Sequence, residues 1–249
     1  MRNVVLCLSF LGTAFHGWQK QKNAETVSET LEKAIGTVTG EKTSVKGCGR
    51  TDSGVHALNY YCNFTLSSRI SCEGLKNALN AVLPETVSVK KAAVADDGFH
   101  ARFSAVSKEY RYRIYRGAVK DPFSVRRALW YKYPLDLEKL NAAAAVYAGE
   151  HDFSAFEASG SSVKDKIRTV YESEFYEDGD FIVYRVKGNG FLYNMVRIMV
   201  GTALKYNEGK MSIDDIKALF ETGDRSAAGK TVAGYGLYLY DVYYGEELF

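Results

Sequence analysis

The run Gly47-Cys48-Gly49-Arg50-Thr51-Asp52-Ser53-Gly54-Val55-His56-Ala57 sets one carboxylate between the second and third of three glycines. Glycine permits sharp turns and close approach of backbone to a ligand. A guanidinium, a hydroxyl and an imidazole lie within a few residues of Asp52. A carboxylate so surrounded is a candidate nucleophile or general base; a plain Gly-Asp turn between two strands is the simpler reading. A second candidate is Arg197, the only charge in the apolar run from Leu192 to Gly201. A guanidinium in such a helix needs a carboxylate or a route to water. A third is the stretch Lys108 to Arg127, with seven positive against two negative charges. Its first part alternates like a strand, with Tyr110, Tyr112 and Ile114 on one face and Arg111, Arg113 and Tyr115 on the other. Basic residues interleaved with aromatics suit a surface that grips phosphates and stacks bases, although a charge run also serves as a solvated face. The pair His151-Asp152 resembles half of a proton relay, but no Ser or Cys nucleophile accompanies it, so a structural or RNA-contact role is preferred.

The elements that must position these groups follow from periodicity. Strands are expected at Asn3–Phe10, Thr43–Cys48, Leu58–Leu66, Val87–Val94, Glu109–Tyr115 and Leu237–Tyr243. A hairpin is expected from Thr169–Tyr176 and Phe181–Lys187, joined by Glu177-Asp178-Gly179-Asp180. Helical spacing of apolar residues marks Thr26–Thr39, Glu73–Val82, Asp136–Ala148, the run after Leu192 and Ser212–Thr222. Thr26 with Glu29 and Ser212 with Asp215 read as helix-start signals, and Asp136 as a cap. Strands and helices mix without strict alternation, which favours an α+β fold over a doubly wound parallel sheet.

Composition narrows the class. A chain of 249 residues, 46% hydrophobic and 25% charged, describes a globular protein with enough apolar material for a sizeable core. The formal charge of +2 requires any nucleic-acid surface to arise by local clustering. Most of the 18 tyrosines are read as structural. Cys7, Cys48, Cys62 and Cys72 lack metal-ligand spacing and suit reduced thiols in the cytoplasm, with no metal site expected. Val4 to Leu11 is short and apolar, but Phe15-His16-Gly17-Trp18-Gln19 follows in place of a small-residue cleavage site, so it reads as a buried strand and not a signal peptide. No run is long enough to span a bilayer, so no membrane partner is expected.

Gly49-Arg50-Thr51-Asp52-Ser53-Gly54-Val55-His56-Ala57 resembles the active-site motif of the TruA family of tRNA pseudouridine synthases, with Ser53 where the family usually has Ala. Further blocks resemble the family in order along the chain. They are Phe15 to Gln21, Phe99-His100-Ala101-Arg102-Phe103, Lys108 to Tyr112, His151 to Phe156, and Gly188 to Gly201. Near the C-terminus, Ala233-Gly234 stands where the family has Ala-Pro, before Gly236-Leu237. The resemblance implies two similar ferredoxin-like α+β halves, 1–104 and 105–249, sharing a mixed central sheet with a basic catalytic cleft between them. It implies a homodimer that isomerises uridine to pseudouridine in the anticodon stem-loop of tRNA, at nucleotides 38 to 40, with no cofactor. It makes Asp52 the nucleophile, Arg197 its pairing partner and Tyr110 the residue that stacks on the flipped uracil. Arg50, Thr51, His56, Arg102, Lys108, Arg111 and Arg113 form the expected substrate-binding set. The alternatives are a related synthase with another RNA target and a non-catalytic α+β RNA-binding module.

Overall fold

In the computed structural model, residues 1–245 and 248–249 are described. The chain forms two compact units, Met1–Val106 with Tyr238–Phe249, and Ser107–Leu237. The fold is α+β, and each unit carries a mixed sheet.

In the first unit, β1 (Arg2–Phe10) pairs antiparallel with β3 (His56–Leu66) on one side and β4 (Val87–Ala95) on the other. It is central, which explains why Val4-Val5-Leu6-Cys7-Leu8 is apolar without alternation: all five side chains are buried. The short β2 (Lys46–Gly47) pairs antiparallel with the far edge of β3, and β10 (Leu237–Tyr244) joins β3 in parallel through Tyr238 and Leu239. Of the strand expected over Thr43–Cys48, two residues form β2, and Cys48 N–H continues the contact to the Tyr61 carbonyl of β3 at 2.8 Å. Helices α1 (Val27–Thr39) and α2 (Cys72–Val82) pack on each other and bury Leu31, Ile35, Leu75 and Leu79. The order is therefore strand, helix, two strands, helix, strand, with sheet order β4-β1-β3-β2.

The capping box expected at Thr26 does not form. Thr26 is fully buried, and its hydroxyl has no hydrogen-bond partner among the described residues. The start of the helix is tied instead to the preceding loop. Val27 donates to the Gly17 carbonyl at 3.2 Å, and Ser28 donates to the Trp18 carbonyl through both its N–H (3.2 Å) and its hydroxyl (2.5 Å). The preceding loop thus caps α1 and is tied down by it.

In the second unit, β5 (Ala105–Tyr115) pairs antiparallel with β9 (Phe181–Gly188), β9 with β8 (Ile167–Asp178), and β8 with β7 (Gly149–Asp152). The two-residue β6 (Leu129–Trp130) runs parallel on the other edge of β5. The β8–β9 hairpin turns at Gly179-Asp180, tighter than the four-residue connection expected, because Glu177 and Asp178 still pair with β9 and Gly179 takes φ +57° at the first loop position. Helices α3 (Leu137–Val146), α4 (Met195–Asn207) and α5 (Ile213–Thr222) pack together. The Asp136 cap and the Ser212–Asp215 capping box are both present. Helix α4 buries every residue from Met195 to Leu204 except Arg197, as its apolar run requires.

Cys7, Cys48 and Cys62 are buried thiols that form no disulfide among the described residues. Burial pushes the Cys7 thiol up to about 11 and the Cys62 thiol well above its ordinary range, so both stay protonated. Among the described residues, no helix is long and apolar enough to cross a membrane.

Candidate active site

Asp52 lies half-buried in the loop between β2 and β3. A tight turn follows it, closed by Val55 N–H donating to the Asp52 carbonyl at 3.2 Å. The loop is held from both sides. Trp18 N–H donates to the Thr51 carbonyl at 3.3 Å, and Gly54 N–H donates to the Phe15 carbonyl at 3.4 Å. Gly17 has φ +88°, and a Cβ there would stand 2.4 Å from the Thr51 carbonyl oxygen, so the approach of the two loops requires glycine. Trp18 is buried and stacks on Tyr60 at 4.1 Å, while the Tyr60 hydroxyl donates to the Gly49 carbonyl at 2.5 Å. The aromatic pair anchors the strand side of the Asp52 loop. Since α1 caps itself with Gly17 and Trp18, helix, loop and carboxylate form one connected assembly.

The residues expected to bind substrate in this unit divide. Arg50 and Arg102 are exposed and line one groove of about 370 Å³. Thr51 is buried, with its hydroxyl unpartnered among the described residues. His56 is only 1% exposed, stacks on Tyr238 at 4.6 Å and accepts a hydrogen bond at Nδ1 from Gly12 N–H (3.1 Å). Its ring is thereby fixed inside the fold.

In the second unit, Lys108 and Tyr110 share one face of β5, and Glu109, Arg111 and Arg113 the other. Tyr110 is half-buried and meets Phe191 edge-on at 5.1 Å. The opposite face is an ion-pair ladder. The buried Glu109 accepts from Arg111 Nε at 2.9 Å and from Arg185 Nε at 3.2 Å, and Arg185 also meets Glu172 and Glu174. Arg113 lies over the Phe181 ring at 4.1 Å and near Asp178. Arg111 and Arg113 are thus committed to the face that Tyr110 does not share. Tyr112 is buried and donates its hydroxyl to the Ala233 carbonyl at 2.9 Å, so it holds the loop where Ala-Gly replaces Ala-Pro. Burial raises the Tyr112 phenol far above its ordinary range and keeps it a donor.

Arg197 sits in the first turn of α4, half-buried. Its Nε donates to the Val232 carbonyl at 2.7 Å, and its Nη1 to the side chain of Asn194, which enters the helix at φ +62°. Two of its donor positions are therefore fixed by its own unit, which orients the guanidinium. Asn194 and the Val232 carbonyl escaped sequence reading, because neither carries a chemical signature. His151 and Asp152 do not form a relay: His151 bonds the Ala148 carbonyl and stacks on Phe220, and Asp152 accepts from Ser154.

The family model described as tRNA pseudouridine synthase matches residues 6–104 and 143–245. This chain belongs to the tRNA pseudouridine synthase family. The tRNA pseudouridine synthase A of Acetivibrio thermocellus is 43% identical over 98% of this chain and 100% of its own length. That of Thermoanaerobacter pseudethanolicus is 46% identical over the same shares, and that of Bacillus subtilis is 45% identical over 95% and 97%. Residues 105–142, which include Tyr110, fall outside the family model's two segments but inside this near full-length likeness to synthase relatives. Among solved structures, a Cbf5-Nop10-Gar1 complex matches at TM-score 0.37 and 14% identity, over 95% of this chain and 48% of that one. That slight likeness adds nothing to the family assignment.

Proposed function

We propose that this chain isomerises uridine to pseudouridine in the anticodon stem-loop of tRNA, at the nucleotides 38 to 40 that the family resemblance implies. The observation that carries the reading is the Asp52 loop, a half-buried carboxylate pinned by Gly17, Trp18 and Phe15 in a chain of the synthase family. The reaction detaches uracil from its ribose, turns it and rejoins it through a ring carbon. The proton lost from that carbon is balanced by one gained at the freed ring nitrogen, so no redox partner is needed. Asp52 serves as the nucleophile that holds the separated fragment. Arg197, oriented by Val232 and Asn194, keeps that carboxylate ionised and aimed. Tyr110 stacks on the flipped base and handles the carbon-bound proton.

Phosphate contacts fall to the exposed Arg50 and Arg102 and to Lys108, which shares a face with Tyr110. Arg111, Arg113 and His56 are left out of this set, because their side chains are already engaged with Glu109, Phe181 and Gly12. The second unit runs β5, α3, β8, β9, α4 with sheet order β5-β9-β8, repeating β1, α1, β2, β3, α2 with β1-β3-β2. That recurrence supports reading the chain as two similar ferredoxin-like halves. The family resemblance further supports a cofactor-free homodimer acting in the cytoplasm.

The test uses purified enzyme and an unmodified tRNA transcript, with no cofactor added and pseudouridine mapped by nucleotide. Product is expected in the anticodon stem-loop and is expected to vanish in Asp52→Asn, whose carboxamide cannot form the adduct. Product from Asp52→Asn would overturn the nucleophile, and product elsewhere in the tRNA would overturn the position.

A further inference from the structure

We infer that the groove of the first unit lined by Trp18, Lys46, Arg50, His100, Arg102 and Phe103 holds an unpaired nucleotide of the RNA substrate, its base on Phe103 and its phosphate among Lys46, Arg50 and Arg102. The inference rests on the proposed activity on RNA.

Three observations carry it. First, the groove is about 370 Å³, within the range of sites that enclose a small ligand. Second, it offers a stacking platform. Phe103 is 75% exposed, a large apolar ring left in water. The His100 ring lies 4.5 Å from it, and the Arg102 guanidinium 5.5 Å over its face. An exposed aromatic beside cations is the arrangement on which single-stranded bases stack. Third, the positive charge is uncompensated. Glu32, the one acid lining the groove, is bonded to Lys20 and to Val45 N–H. Lys46, Arg50 and Arg102 form no ion pair among the described residues. The field reaches His100, whose imidazole is held below its ordinary range by partial burial and then by Lys46 and Arg102. A neutral ring within the field of two cations suits a base and its phosphate. Arg50 lies two residues before Asp52, so the groove borders the loop that carries the proposed nucleophile.

The test compares wild type, Phe103→Ala, Phe103→Trp and Lys46→Gln full-length enzymes. Each is measured for binding of a labelled single-stranded octauridylate and of a tRNA transcript across a salt series, and for kcat and KM in pseudouridine formation. Phe103 and Lys46 are exposed, so the fold should tolerate these changes. Phe103→Ala should weaken both RNAs by roughly fivefold or more, the low end of base–aromatic stacking, and raise KM far more than it lowers kcat. Phe103→Trp should restore binding. Lys46→Gln should reduce the slope of log affinity against log salt by about 0.7 to 0.9. If Phe103→Ala and Lys46→Gln bind RNA as wild type does while wild type makes pseudouridine, the groove assignment falls and the activity stands. If wild type makes no pseudouridine while octauridylate binding still depends on Phe103, the activity falls and the groove stands.

Discussion

Tyr110 meets Phe191 edge-on at 5.1 Å, a contact that fixes the ring and leaves the hydroxyl as the variable to test. Tyr110→Phe keeps the stacking face and removes the proposed proton carrier. Single-turnover kinetics should show turnover down by ~10²-fold or more with tRNA affinity almost unchanged, the size expected for loss of a general acid or base. Turnover near normal would reduce the role of Tyr110 to stacking. The sequence was informative about residues in proportion to how local their environment is. Asp52 stood out because its glycines and Arg50 surround it within a few positions. Alternation sets Arg111 and Arg113 on the face of β5 away from Tyr110, and only their charge points to a role in binding phosphate. Their partner Glu109 lies on the same strand, but Arg185, which completes the cluster, comes from β9, and nothing in the local run announces it. His56 is the same case: the Gly12 N–H that its ring accepts lies 44 residues away.

At the scale of elements, the two helix starts that looked alike in sequence differ in chemistry, and a pair of substitutions separates them. Ser212 accepts from Asp215 N–H at 3.1 Å in a complete capping box, so Ser212→Ala should cost about 1 kcal/mol in urea unfolding. Thr26 caps nothing and buries a hydroxyl without a partner among the described residues. Thr26→Val, which replaces that hydroxyl with a methyl of the same shape, should cost nothing or gain up to about 1 kcal/mol. Equal losses at both would mean that Thr26 caps after all. Helix positions were legible because apolar spacing is local; what was hidden at α1 is that Gly17 and Trp18 supply the cap from an adjoining loop. Helix α4 makes a comparable demand. A Cβ on Gly201 would stand 1.9 Å from the Lys230 carbonyl oxygen, so Gly201→Ala must displace that segment. The same segment leads to Val232, whose carbonyl orients Arg197. Gly201→Ala should therefore lose about 1–3 kcal/mol of stability and lower kcat more than tRNA affinity. Full turnover in this variant would show that Val232 does not govern Arg197.

Over the whole molecule, the proposed machinery is distributed: Asp52 belongs to the first compact unit, Tyr110 and Arg197 to the second. The C-terminal strand counts with the first unit, through parallel pairing of Tyr238 and Leu239 with His56 and Ala57. Periodicity could find that strand but not its partner, because pairing across some 180 residues leaves no local pattern. The proposed pairing of Asp52 with Arg197 would have the same long-range character and is best tested energetically. Asp52→Asn, Arg197→Met and the double variant form a cycle read by chemical denaturation. A charge left unpaired in a fully desolvated site costs roughly 3 to 5 kcal/mol, and a half-buried Arg197 should show less. Arg197→Met carries its own penalty, since it abandons the Val232 carbonyl and the Asn194 side chain. The diagnostic quantity is thus the difference between the double variant and the sum of the singles, which cancels that penalty. If the two side chains touch, the double variant should be more stable than the sum by about 0.5 to 3 kcal/mol, while remaining inactive. Losses that add within about 0.5 kcal/mol would show that the pair does not interact, and would leave Arg197 as a residue that acts on the RNA and not on Asp52.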